Sequence, residues 1–335
     1  MGLLVKGKWS DQWYDTKSHH GEFIRQQSLF RNWITADGQA GNSGEGGFPA
    51  EAGRYHLYVS LACPWAHRTL IFRQLKGLKD IITVSIVEPL MMEQGWIFNE
   101  RGDGLYGLHT LHEVYTRTNS DYTGRVTVPV LWDKQSQTIV NNESAEIIRM
   151  LNSVFNPLTE NYDDYYPEAL QAEIDQLNER IYRTVNNGVY RAGFATTQGA
   201  YEKAFTELFC TLDWLEQRLS KQRYLTGDTT TEADWRLFTT LLRFDAVYYS
   251  HFKTNLRRIE EYHNLSGYLR DLYQQPGVAE TVDMDYIKAH YYGSHLTINP
   301  TGIVPVGPLL DFTRPHQRQN LSEIMKKSKK LKEVI

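Results

Sequence analysis

The run Tyr55-His56-Leu57-Tyr58-Val59 alternates along its length and leads into Ser60-Leu61-Ala62-Cys63-Pro64-Trp65-Ala66-His67-Arg68. After it, Leu70, Ile71 and Leu75 recur at helical spacing. Alternation predicts a half-buried strand and the later spacing predicts a helix, so Cys63 falls where one hands over to the other. Pro64 stands in the first helical turn, where the missing N–H does no harm. A sulfur placed there faces unpaired backbone N–H groups and the positive end of the helix dipole, which favour thiolate over thiol. A buried cysteine at a structural helix start is the competing reading.

In a Cys-x-x-Cys motif the second cysteine resolves a mixed disulfide, but position 66 is Ala. Cys63 can accept a thiol-derived group, and nothing near it in sequence can remove that group. Turnover then calls for an outside thiol, for which glutathione is the obvious supplier.

The 335 residues suggest two domains, with 41% hydrophobic and 23% charged residues, as in ordinary soluble chains. A net charge of −4 and a pI near 6.3 argue against nucleic acid or an anionic membrane surface as partner. No apolar stretch is long enough to span a bilayer, and Met1 to Ser10 lack the pattern of a signal peptide. Lys6 stands where myristoylation wants Ser or Thr. Two cysteines do not make a disulfide framework, so a reducing, cytoplasmic setting is expected.

Residues 1–50 read as an extended arm. It ends in a Gly-rich run from Gly38 to Gly47 and carries Trp9, Trp13, Phe23, Phe30 and Trp33 to pack on something. His19-His20 reads as a solvent-exposed pair or half a metal site, with no Cys or carboxylate at ligand spacing. Residues 51–155 run strand, helix, strand (Ile82 to Val87), long insertion, hairpin, helix. The hairpin strands lie around Val128–Trp132 and Thr138–Val140. This βαβ then ββα order is that of a thioredoxin-like domain. Val128-Pro129 sits where a proline belongs at an edge or in a cis peptide, leaving the Val128 backbone available to another backbone.

Asn141-Asn142-Glu143-Ser144 opens the next helix, as a cap or as the seat of a ligand carboxylate with Glu143 accepting from an ammonium group; the two are compatible. The insertion from Glu88 to Arg125 is long enough to be functional, and its Trp96 either walls a ligand pocket or pins the loop. Asn156 to Pro167 reads as a linker. Beyond it, 168–290 reads as an all-helical domain. One stripe there is Leu170, Ile174, Leu177, Ile181 and Val185. A second is Phe205, Leu208, Leu212, Leu215 and Leu219, with Cys210 packed among or beside it. Thr231-Glu232-Ala233-Asp234 starts a buried central helix with a capping-box pattern. Residues 291–335 form a C-terminal extension, read as a Lys-rich mobile tail after about Pro315.

The single-thiol motif, Val128-Pro129, Glu143-Ser144 and Leu225-Thr226-Gly227-Asp228 ahead of Thr231-Glu232-Ala233-Asp234 together resemble the glutathione transferase fold. That fold is an α/β thioredoxin-like N-terminal domain followed by an all-α C-terminal domain. The full string Ser60 to Arg68 resembles its Xi class, the glutathionyl-hydroquinone reductases, which are related to the Omega class. So do Gly95-Trp96, Arg243-Phe244-Asp245, Tyr291-Tyr292-Gly293-Ser294-His295 and Ile298-Asn299-Pro300-Thr301-Gly302.

The resemblance implies glutathione-dependent reduction of S-glutathionyl-hydroquinones through a Cys63–glutathione mixed disulfide. Glutathione is then a co-substrate, no metal is involved, and the protein is a homodimer. It implies that Trp96, Val128, Glu143 and Ser144 hold glutathione. Arg125, close to Val128 in the chain, is a candidate for a glutathione carboxylate. Tyr190, Tyr248 and Tyr291 would take the hydroquinone, with Tyr190 and Tyr291 as catalytic candidates and Tyr249 and Tyr292 as neighbouring alternatives. The rival readings are an Omega-like thiol transferase or dehydroascorbate reductase, and a non-enzymatic binding protein of the same fold.

Overall fold

The computed structural model describes residues 2–319 and 321. The chain forms two compact units. Of the described residues, one comprises 2–14, 25–164 and 280–304, the other 15–24, 165–279 and those from 305 on.

The first unit is built on strand β3 (Tyr55–Val59), whose residues are all buried. It pairs in parallel with β4 (Thr83–Ile86), setting Leu57 opposite Val84. It pairs antiparallel with β6 (Val130–Asp133), setting Leu57 opposite Leu131. The sheet order is β4-β3-β6-β7, with β7 (Thr138–Asn141) completing the expected hairpin. Helix α1 (Pro64–Leu75) follows β3 and packs on α3 (Ser144–Ser153). This is the thioredoxin-like order expected from the sequence.

A second sheet joins the arm to the insertion. Strand β1 (Leu3–Val5) lies between β2 (Lys8–Ser10) and β5 (Gly124–Arg125). The insertion also holds a helix that the sequence reading left out, α2 (Leu111–Thr118), started by a capping box of Thr110 and Glu113. Its loop is tied down by buried Asp103, which accepts from the Tyr58 hydroxyl at 2.7 Å and from the N–H groups of Leu105, Tyr106 and Leu108. After α4 (Asn156–Thr159) the linker stays with this unit: the Lys76 ammonium donates to the Asn161 and Asp163 carbonyls.

The second unit is helical, with α5 (Gln171–Ile181), α6 (Gly188–Gly193), α7 (Gln198–Leu219), α8 (Glu232–Arg243), α9 (Tyr249–His251) and α10 (His263–Tyr273). Helix α11 (Met284–Ser294) belongs with the first unit. Helix α8 is buried along its whole length, as its apolar run requires. Asp234 explains the motif before it. Its carboxylate accepts from the N–H groups of Leu225 (2.9 Å) and Thr231 (2.8 Å) and from the Tyr268 hydroxyl (2.8 Å), so turn, cap and α10 meet on one group. Burial raises its affinity for a proton against the pull of those donors.

Two expectations are corrected. Cys210 is exposed rather than packed with the second stripe. At 100° per residue it stands about 200° round α7 from Leu208, on the face opposite the core. Arg318, in the stretch expected to be a mobile tail, is buried and donates to the carbonyls of Leu219, Gln222, Arg223 and Asn264. The first of these are carbonyls at and beyond the end of α7, which a forked guanidinium suits. The rest of that Lys-rich stretch, residues 320 and 322–335, lies outside the described residues.

Two stability predictions follow from these buried groups. Asp234→Ala strands three buried donors and removes a cap, so urea unfolding should show a loss of about 3 kcal/mol; a loss under ~0.5 kcal/mol would contradict this role. His56, held between the hydroxyls of Thr83 (2.6 Å) and Ser85 (2.9 Å), is pushed by burial from 6.5 down to about 4. The unfolded chain therefore takes up the proton first. Stability from neutral His56 is intact above pH 6.5 and lost as pH falls toward 4, about 3 kcal/mol in all. In His56→Gln the decline over that window should be shallower by this amount, and parallel stability–pH curves would rule the linkage out.

Candidate active site

Cys63 is the N-cap residue of α1, with extended backbone (φ −74°, ψ 118°) and Pro64 directly after it. Its N–H donates to the Ser60 carbonyl at 3.2 Å and its carbonyl accepts from the His67 N–H at 2.9 Å, which fixes the turn. The thiol is partly exposed and lies 3.5 Å from the carbonyl oxygen of Val128. The Val128-Pro129 peptide is cis, as the sequence pattern suggested. A half-exposed sulfur at a helix start is the arrangement that favours a reactive thiolate. Position 66, where a resolving cysteine would stand, holds a fully buried alanine.

Glu143 and Ser144 sit at the start of α3. One Glu143 oxygen caps the helix, accepting from the Ala145 N–H at 3.1 Å, and the other accepts from the Ser28 hydroxyl at 3.3 Å. The Ser144 hydroxyl accepts from the Arg68 guanidinium at 3.3 Å. Arg68 is buried, and it and Arg25 both lie over the Trp65 ring, at 4.6 and 5.0 Å. The helix start thus sets a buried cation beside the positive end of a helix dipole, a setting for a carboxylate. Tyr115 of α2 links the two backbone segments involved: its hydroxyl donates to the Thr127 carbonyl at 2.8 Å and accepts from Asn142 at 3.1 Å.

Trp96 is buried and stacked on His290 of α11, with ring centroids 4.8 Å apart and planes 22° apart. Tyr291, next along α11, packs edge-on against His290 (5.1 Å) and His295 (5.6 Å). A residue that the sequence did not flag is Tyr286. Its hydroxyl donates to the Val87 carbonyl and lies 3.4 Å from the Ser60 hydroxyl. Burial suppresses its ionisation, and the charges of Glu88 and Cys63 add to that effect. His67 meets Thr281 at 2.7 Å, so Ser60 touches α11 and His67 the segment leading into it.

Arg125 is bonded within the protein. Its guanidinium donates to the carbonyls of Gln12 and Trp13 and lies 4.1 Å over the Tyr14 ring, so it is engaged with the arm. Tyr190 and Tyr248 come together in the helical unit, 6.0 Å apart, in a cluster with Phe23, Phe194 and Phe252. Tyr248 ends one π-helical turn (Phe244–Tyr248), and Tyr190 follows another (Tyr182–Asn186). Such turns are frequent at functional sites and leave no mark in hydrophobic periodicity. Tyr249 is half-buried beneath Arg258. His19 and His20 are exposed, and among the described residues no group of three or more His, Cys, Asp or Glu side chains is set to hold a metal.

Two family models match the chain: the glutathione S-transferase N-terminal domain over residues 62–154 and the glutathione S-transferase C-terminal domain over 198–271. The glutathionyl-hydroquinone reductase YqjG of Escherichia coli is 59% identical over 323 residues, covering 95% of this chain and 98% of that protein. The chain belongs to the glutathione transferase family. Within it the solved relatives place it in the Xi class. A Xi-class transferase from Natrialba magadii superposes with a TM-score of 0.87 at 49% identity, covering 96% of this chain and 98% of that one. The glutathione-bound structure of YqjG superposes with a TM-score of 0.88 at 56% identity over 95% of this chain and 99% of that one. The glutathionyl-hydroquinone reductase PcpF of Sphingobium chlorophenolicum is 54% identical over 312 residues, 92% of this chain and 96% of that protein.

Proposed function

We propose that this chain is a glutathionyl-hydroquinone reductase that works through Cys63. The observation that carries the reading is the lone thiol at the start of α1, beside the Val128 carbonyl and with alanine at position 66. Its identity to the reductases YqjG and PcpF supports the substrate class.

The Cys63 thiolate attacks the glutathione sulfur of an S-glutathionyl-hydroquinone. The carbon–sulfur bond breaks, a proton is delivered to the ring carbon, hydroquinone leaves and Cys63 is left in a disulfide with glutathione. A second glutathione thiolate attacks that disulfide, releasing oxidised glutathione and the Cys63 thiolate. Two electrons from two glutathione sulfurs thus reduce one carbon–sulfur bond. In this reading Trp96, the Val128 backbone, Glu143 and Ser144 hold glutathione, and the buried cation of Arg68 favours a carboxylate at Ser144. Tyr190, Tyr248 and Tyr291 take the hydroquinone, and a phenol among them supplies the proton. The same reading carries a cytoplasmic setting, where glutathione is kept reduced, and a homodimer, as the family resemblance implies.

Wild-type protein incubated with glutathionyl-menadiol, without added glutathione, should gain the mass of one glutathionyl group, mapped to Cys63. Cys63→Ser should fold normally and lose menadiol formation by on the order of a thousandfold or more. Activity retained in Cys63→Ser would exclude the covalent route, and clear preference of the wild type for dehydroascorbate would assign the chain to Omega-like chemistry instead.

A further inference from the structure

Side chains spaced four apart on α11 bond to alternate residues of the segment that follows β4. The Tyr286 hydroxyl donates to the Val87 carbonyl, His290 Nδ1 meets the Pro89 carbonyl at 2.8 Å, and the Met91 N–H donates to the Ser294 hydroxyl at 2.9 Å. A carbonyl only accepts, so Nδ1 of His290 carries the proton. Residues four apart share one helix face and advance about 6 Å along it, while two residues of open chain reach at most about 7 Å. Helix and segment therefore keep step over all three bonds. Between the second and third, Leu90 lies so close to Gly293 that a Cβ there would stand 2.6 Å from its side chain.

The same segment is tied to the thiol and to the Trp96 loop. The Val87 N–H donates to the Val59 carbonyl at 3.0 Å, carrying the β3 and β4 pairing up to the residue before Ser60. The Glu88 N–H donates to the Ile97 carbonyl at 2.7 Å. Tyr286 stands at the thiol end, its hydroxyl 3.4 Å from that of Ser60. The turn bearing Cys63 also closes on its own bonds, Cys63 N–H to the Ser60 carbonyl at 3.2 Å and Ala62 N–H to the Ser60 hydroxyl at 3.3 Å. An unbroken path thus runs from Cys63 through β3, residues 87–91 and the bonded face of α11 to Tyr291. That tyrosine follows His290 directly, about 100° round the helix from the bonded face.

We propose that Tyr286, His290 and Ser294 are positioning residues: together they form a register strip that sets Tyr291 at a fixed distance from Cys63. The proposal rests on the reductase reading above, which assigns Tyr291 to the hydroquinone, and deepens it. Loss of an end bond leaves the thiol's own turn closed and lets α11 shift along the segment. A shift of about 1 Å in a group facing the reacting atoms is enough to slow a reaction severely.

Tyr286→Phe and Ser294→Ala each delete one hydroxyl, at opposite ends of the strip and at half-buried positions. They are compared, with the double variant, in steady-state reduction of glutathionyl-menadiol. Disulfide formation at Cys63 with oxidised glutathione, which releases glutathione and needs no quinol, is followed in parallel by intact mass. Each single variant should lower kcat about fivefold, leave KM for glutathione within about twofold, and leave the Cys63 disulfide step within about twofold of the wild-type rate. The double variant should lose less than the product of the single losses, because both hydroxyls serve one register. Wild-type kcat in either single variant would overturn the strip. So would a disulfide step that falls as far as kcat, which places the effect at the thiol or in the fold at large. Losses that multiply in the double variant would show two independent local effects and overturn the shared register. A wild type that forms the Cys63 disulfide but does not reduce glutathionyl-menadiol would overturn the reductase reading and this proposal with it.

Discussion

A sulfur held at the first residue of a helix is the constraint around which the first unit is arranged. Helix α1 supplies the positive end of a dipole. The strand before it is buried on both faces, so the turn from Ser60 to Pro64 cannot drift. The hairpin brings the Val128 carbonyl to 3.5 Å from the thiol, and the helix after the hairpin starts at Glu143 and Ser144. Each of these features follows from the ββα half of the domain being paired with the βαβ half in one sheet, in the register that sets Leu57 between Val84 and Leu131.

Much of that arrangement was legible in the chain. The strand, the helix opened by Pro64, the hairpin, the cis peptide before Pro129 and the capped helix at Thr231 all came from local rules: alternation, helical spacing, proline chemistry and cap pairs. What escaped those rules depends on distant partners. Helix α2 is short and sits inside a Gly-rich insertion whose order comes from Asp103 and Tyr58. Arg125 was read by proximity in sequence to Val128, whereas its partners come from the arm, more than a hundred residues earlier. Tyr286 and His290 are ordinary residues of a terminal helix until the fold sets them against Ser60 and Trp96. Cys210 shows the opposite error: a sulfur was placed in the core because cysteine usually is, while its position round α7 points outward.

The arm and α11 lie outside the two matched family regions, and the insertion lies inside the first. The arm, the insertion and α11 converge on Trp96 and Tyr291 through aromatic contacts and a few backbone bonds. Specificity within one fold is expected to reside in such surrounding segments rather than in the shared core.

The central claim is that the fold, rather than cysteine as such, makes Cys63 reactive. The most direct measurement is the rate of Cys63 alkylation by iodoacetamide at pH 6 in the native protein, compared with the same residue in the urea-unfolded chain. The account predicts alkylation about tenfold faster or more in the native protein, because a helix start favours thiolate over thiol. Equal rates, or protection of Cys63 in the native state, would contradict it.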